Sequence, residues 1–381
     1  MNAQPEFYDL VIKSGRVIDP ATGTDSILDV GVRDGIIAAI EPKLAAATAA
    51  RNIDATGLLV TPGLIDLHVH VYRAVSYLSV DADVIGKKGG VTTVLDAGTA
   101  GSRSYPGLKE FIVDRARVRV LALMHLSSIG LAGGSGVPEL NDPGYADVAG
   151  GVAGIREMPE TFIGCKIRAG GNIIGWGQQG RRHIQLAVQM AHESGTFLMV
   201  HIGNAPIPME ELLSMLRPGD IVTHCYRAGP NNLFDEFDMP TDDARAARER
   251  GILFDVGHGA GSFKYERARN AVASDFVADS ISTDLHVGSI NGPVYDMPTT
   301  MAKMLALGVP LVEVIARSSW GPACMIGKQD TIGTLQMGRE ADIAVLRHSE
   351  REVTFTDSMS TSWTAGQMLS AVHTFRAGEP L

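Results

Sequence analysis

Short apolar runs parted by turn residues open the chain. Asp9-Leu10-Val11-Ile12-Lys13, Arg16-Val17-Ile18-Asp19, Ile27-Leu28-Asp29-Val30-Gly31-Val32 and Ile36-Ile37-Ala38-Ala39-Ile40 are separated at hairpin spacing, with a turn expected at Ser14-Gly15. After Pro62-Gly63 the pattern changes. Apolar runs now end in polar or Gly-rich loops and alternate with helical segments, as in a parallel α/β domain. The runs end near His70, Asp96, Ser127, Arg168, His201, His224, His258 and Asp284. Eight successive ends predict a closed (β/α)8 barrel. An open doubly wound sheet is the alternative, but it would leave the first and last strand ends apart. The block from Pro62 to Gly321 spans about 260 residues, against about 250 for such a barrel. Gly333-Thr334-Leu335, Ala341-Asp342-Ile343-Ala344-Val345-Leu346 and Val372-His373-Thr374-Phe375 return to strand-and-turn texture. Both ends are therefore expected to build one small β domain.

Composition narrows the function classes. The 381 residues are 45% hydrophobic and 20% charged, with a net charge of -10. That composition fits a folded globular protein and argues against disorder, a nucleic-acid surface or a large anionic polymer as partner. Three cysteines without CxxC spacing, Cys165, Cys225 and Cys324, argue against a disulfide framework or thiolate zinc site and fit a cytoplasmic protein. Met1 to Leu10 has no signal-peptide pattern, and no apolar stretch is long enough to span a membrane. The Ala-rich Leu44 to Ala50 is the one compositional bias. Subunit number is left open, and a homo-oligomer is compatible with the sequence.

The chemistry concentrates at the strand ends. Leu64-Ile65-Asp66-Leu67-His68-Val69-His70 closes in His-x-His, and residues two apart on a strand share a face. Taken alone, the pair reads equally well as two core histidines. Two further runs, Thr196 to His201 and Ile221 to His224, end the same way. Four histidines at three strand ends point to metal ligation rather than packing. Asp284 closes the eighth run, which in a barrel lies beside the first. It is therefore expected both to ligate metal and to move a proton. On the fourth run Lys166 and Arg168 share a face, while Ile163, Cys165 and Ile167 face the helices. A lysine inside a barrel is costly unless paired or neutralised. It either pairs with a nearby Asp or, as a neutral amine, captures carbon dioxide as a carbamate able to bridge two cations.

Asp9-Leu10-Val11-Ile12, Pro62 to His70 and Gly338-Arg339-Glu340-Ala341-Asp342-Ile343 resemble the opening, first strand and closing pattern of the amidohydrolase superfamily. The resemblance implies a barrel, over residues 61–324, and a composite β-sandwich from residues 1–60 and 325–381. It implies two divalent ions, usually zinc, with His68, His70 and Asp284 on one, His201 and His224 on the other, and carboxylated Lys166 between them. Lys166-Ile167-Arg168, Asp255 to Gly259 and Asn291 to Tyr295 are similar to the dihydroorotase-like and deacetylase-like subgroup. True dihydroorotases resemble His-x-His-x-Arg after the first strand, whereas here Tyr72 takes that place and Arg73 falls one residue late.

These features predict a zinc-dependent deacetylase or amidohydrolase acting on a small acylated carboxylic acid, with Arg168, His258, His286 and Tyr295 as candidate substrate contacts. Arg168 is the strongest of them, since guanidinium suits carboxylate, although an internal salt bridge fits it equally. A cyclic-amide hydrolase of the dihydroorotase or hydantoinase type is the alternative. A non-catalytic scaffold on the same barrel would be expected to have lost ligands, and all six are present.

Overall fold

The computed structural model describes residues 7–44, 48–134 and 136–381. Met1–Glu6 and, within the Ala-rich stretch, Ala45–Ala47 lie outside the described residues.

Seven parallel strands, Leu64–Val69, Val91–Asp96, Arg119–His125, Phe162–Ala169, Phe197–Ile202, Ile221–Thr223 and Leu253–Asp255, pair in chain order. Alternation sorts their side chains. Val120, Ala122, Met124, Cys165, Ile167, Leu198, Val200 and Ile202 join the large outer core, while Leu95, Leu121, Leu123, Met199 and Ile221 fill an inner cluster. Ile163 departs from the expected face and packs with the inner cluster, next to a register shift between Ala122 and Leu123.

The eighth expected strand is an irregular segment. Residues 280–285 make only isolated bridges, Ser280 to Asp255 and Leu285 to Val69, yet these link the seventh strand to the first and close the barrel. Side chains replace part of the missing ladder. Asp66 accepts from the Thr283 amide at 3.0 Å and its hydroxyl at 2.5 Å, and Asp255 accepts from the hydroxyls of Ser280 and Ser282.

Helices cover the outside. The longest, Gln178–Ser194, buries His183, Ile184, Ala187, Met190 and Ala191 along one stripe and ends at Gly195 in the left-handed conformation. Among the described residues no helix is long and apolar enough to cross a membrane.

Strands from both ends of the chain build a second, mostly antiparallel sheet of eight strands with its own core around Leu10, Ile12, Val30, Val345 and Phe375. Phe7–Asp19 is one strand, so the turn expected at Ser14-Gly15 is instead an irregularity in register between Ile12 and Gly15. A Cβ on Gly15 would overlap the Val60 side chain of a neighbouring strand, which explains the glycine. Gly333-Thr334-Leu335 forms no strand. The Thr334 hydroxyl and Leu335 amide instead donate to the buried Asp19 carboxylate. The tail's main feature is a long hairpin, Ile343–Thr356 with Ser362–Arg376, whose tip reaches the barrel mouth: the Ser358 hydroxyl donates to the Gly259 carbonyl at 3.0 Å.

Candidate active site

The C-terminal ends of the barrel strands converge on a cavity of about 170 Å³. His68, His70, Lys166, His201 and Asp284 line it, together with Arg168, His286, Tyr77 and Leu78. His224 lies just behind, its ring 4.3 Å from that of His201 and 4.8 Å from that of His68. Asp284 Oδ1 is 3.5 Å from Nε2 of both His68 and His70. Ligand atoms of His68, His224 and Asp284 lie within 4.8 Å of one another.

Three of the four histidines are held from behind. His68 Nδ1 lies 2.8 Å from the Thr223 hydroxyl and His70 Nδ1 2.8 Å from that of Thr99. His224 donates from Nδ1 to the Gly257 carbonyl at 2.6 Å, so its Nε2 carries a lone pair. That nitrogen and Asp284 Oδ1 are buried without a hydrogen-bond partner. Burial holds His68, His70, His201 and His224 well below the ordinary imidazole pKa, so all four are neutral. Neutral imidazoles with bare nitrogens facing a carboxylate are suited to a divalent cation. His224 and Asp284 both have positive φ, 69° and 49°, a conformation uncommon outside glycine. Such strain is typically kept where function requires a particular side-chain direction.

Lys166 is buried, with Nζ 3.3 Å from His68 Nε2 and 3.6 Å from Met199 Sδ. It forms no ion pair with a carboxylate among the described residues. Burial pulls its ammonium down and pushes the Asp284 carboxyl up. Gly98 makes room for this lysine, since a Cβ there would lie 2.5 Å from Lys166 Cβ.

The candidate substrate contacts divide. Arg168 and His286 line the cavity. His258 does not: it is fully buried, stacked on Phe263 at 4.6 Å, and accepts from Lys303 Nζ at 2.8 Å. Tyr295 is 54% exposed and lies outside the cavity lining. Arg168 also has an internal partner, because its Nε is 3.2 Å from the buried Glu139 carboxylate. Tyr72 is buried, its hydroxyl donating to the Ser104 carbonyl, and Arg73 turns outward to pair with Asp81 at 2.9 Å. Neither offers the cavity a cation.

Sequence reasoning did not single out Thr99, Thr223, Glu139 or His125, which surround the histidines and Arg168. The run Leu123-Met124-His125 ends like the three histidine runs and carried a usable signal. A larger cavity of about 410 Å³ opens beside Arg119 and Thr161, at the N-terminal ends of two barrel strands. Arg119 there already pairs with Glu340 and Asp342, and none of the histidines reaches it.

Comparison with known proteins places these features in context. The Amidohydrolase family model matches residues 59–369. A deacetylase of Agrobacterium fabrum is 37% identical over 328 residues, covering 85% of this chain and 79% of that protein. Crystal structures of an adenine deaminase and a dihydroorotase both align with a TM-score of 0.90. The first is 31% identical over 98% of this chain and 99% of the other; the second is 32% identical over 98% and 97%.

Proposed function

Because the chain belongs to the amidohydrolase family, hydrolases that act on carbon–nitrogen bonds, we propose that it is a deacetylase of small acylated carboxylic acids. N-acyl amino acids and O-acetyl hydroxy acids are the expected substrates, with two divalent ions, zinc by preference. The observation that carries this reading is the cavity, where His68, His70 and His201, with His224 just behind, meet the bare Asp284 Oδ1 and a buried lysine that has no carboxylate partner among the described residues. His68, His70 and Asp284 would hold one ion and His201 and His224 the other. Lys166, carboxylated by carbon dioxide, would supply an oxygen to each. When bound, such ions lower the pKa of a water towards neutrality and polarise the substrate carbonyl.

The remaining chemistry belongs to the chain. Asp284 takes a proton from the attacking water as its oxygen bonds to the carbonyl carbon. It returns that proton to the leaving nitrogen or oxygen as the acyl bond breaks. Arg168 takes the substrate carboxylate, which fixes the scissile carbonyl against the ligand cluster. The outward turn of Arg73 and the buried hydroxyl of Tyr72 support an acyclic substrate over dihydroorotate, since neither residue can hold the carboxylate at the position the dihydroorotase pattern uses.

Elemental analysis of protein purified without chelator tests the metal content, expected at about two ions per chain because six candidate ligands exceed what one four-coordinate ion needs. A panel of N-acetyl amino acids of both configurations, O-acetyl hydroxy acids, adenine and dihydroorotate tests the substrate class. Turnover of the acetylated acids supports the reading. Efficient turnover of adenine or dihydroorotate instead overturns it.

A further inference from the structure

Three buried polar atoms without an aligned hydrogen-bond partner meet beside the cavity: His125 Nε2, Glu139 Oε1 and Arg168 Nε. Glu139 Oε1 lies 3.2 Å from Arg168 Nε and 3.6 Å from His125 Nε2. His125 accepts the Ser127 amide N–H on Nδ1 at 2.9 Å, so its ring proton sits on Nε2, towards Glu139. Burial holds this imidazole neutral, down at about 3. Arg168 is therefore the one formal charge in contact with the Glu139 carboxylate among the described residues.

The two partners arrive by different routes. Arg168 stands two residues beyond Lys166 on the same strand, with 22% of its side chain exposed at the cavity. Glu139 comes from the loop after the third strand, where the Ser127 hydroxyl donates to its carbonyl at 2.5 Å. A buried carboxylate is costly and persists where it is paired. Pairing at Nε leaves the outer N–H groups of the guanidinium for a second anion, and that fork matches a carboxylate in bidentate geometry.

We propose that Glu139 is a positioning residue for substrate selection: it holds Arg168 at the cavity rim with its outer N–H groups presented to a substrate carboxylate. This rests on the reading of Arg168 as the carboxylate contact. Glu139→Gln keeps the shape and removes the charge. The experiment measures kcat and KM for the best N-acetyl amino acid of the panel and for its carboxamide, with metal content and Tm alongside.

The KM of the acid should rise about tenfold or more, the size of a lost charge-assisted contact. Its kcat, the carboxamide kinetics and the metal content should hold. In an Arg168→Met background, Glu139→Gln should add no further loss on the acid, because Glu139 acts only through Arg168. That comparison also serves if the single variant does not fold, since the double variant removes both charges. Equal losses on acid and carboxamide, or an acid-specific loss that persists without Arg168, overturn the inference. A selective loss in Arg168→Met beside an unchanged Glu139→Gln rejects Glu139 and keeps the carboxylate reading. Equal effects of Arg168→Met on acid and carboxamide, or a panel without turnover of any acylated acid, reject that reading and the inference with it.

Discussion

The hydroxyl of Thr223 fixes which nitrogen of His68 faces the cavity. That hydroxyl has one hydrogen and gives it to Asp255 Oδ2 at 2.7 Å. It can therefore only accept from His68 Nδ1, at 2.8 Å, and the His68 lone pair is left on Nε2, 3.5 Å from Asp284 Oδ1. Groups behind a ligating histidine that set its tautomer and direction typically govern metal affinity.

Thr223→Val keeps the volume and removes the acceptor. Metal affinity should fall by about 10- to 100-fold, measured by titration against a competing chelator, with the fold intact by circular dichroism. Unchanged affinity would show that the Thr223 contact does not set the ligand.

Lys166→Ala should abolish metal binding and activity together, because a methyl group supplies neither amine nor carbamate oxygen. Added acetate or propionate, which can occupy the vacated space with a carboxylate, should restore part of both. A variant that keeps its full metal content would remove Lys166 from the ligand set.

Asp284→Asn keeps one oxygen as a potential ligand but cannot accept the water's proton. Turnover should fall by roughly 10² or more, the scale of general acid and base catalysis, while much of the metal stays bound. Parent-like kcat in a metal-loaded variant would exclude the proton-transfer role.

The residues at the strand ends were legible because their signal is local. An apolar run closing in histidine, as at His201, states both its element and its end in six residues. What surrounds them was not, because it depends on pairing across the barrel. Thr223 and Asp255 belong to different strands, and Glu139 reaches Arg168 from a loop 29 positions earlier in the chain. The eighth strand end, Asp284, was read correctly in position but not in texture, since side chains of Asp66 and Asp255 take over part of its backbone ladder. His258 misled for a related reason. Its strand-end position resembles that of His201, yet Lys303 and Phe263 draw the ring away from the cavity.

Lys303 also yields a prediction for stability against pH. Its Nζ lies 2.8 Å from each of His258 Nε2, the Pro293 carbonyl and the Thr356 carbonyl, and so ties two barrel loops to the long hairpin. The titratable groups facing it are Asp357 and His258, and burial keeps His258 neutral. Burial, partly offset by the negative charge of Asp357, pulls Lys303 down to about 7 from 10.5. Between those two values the unfolded chain binds a proton that the folded one has released. Stability from this group therefore rises with pH across that window, because the unfolded state holds more protons there. Lys303→Met removes the titration while keeping the apolar stem. The Tm of the parent should rise relative to that of Lys303→Met between pH 7 and about pH 9, inside the window set by the shifted and ordinary lysine values. A difference in Tm that stays flat over this range would mean that Lys303 keeps its proton in the folded state, held by its three acceptors against the cost of burial.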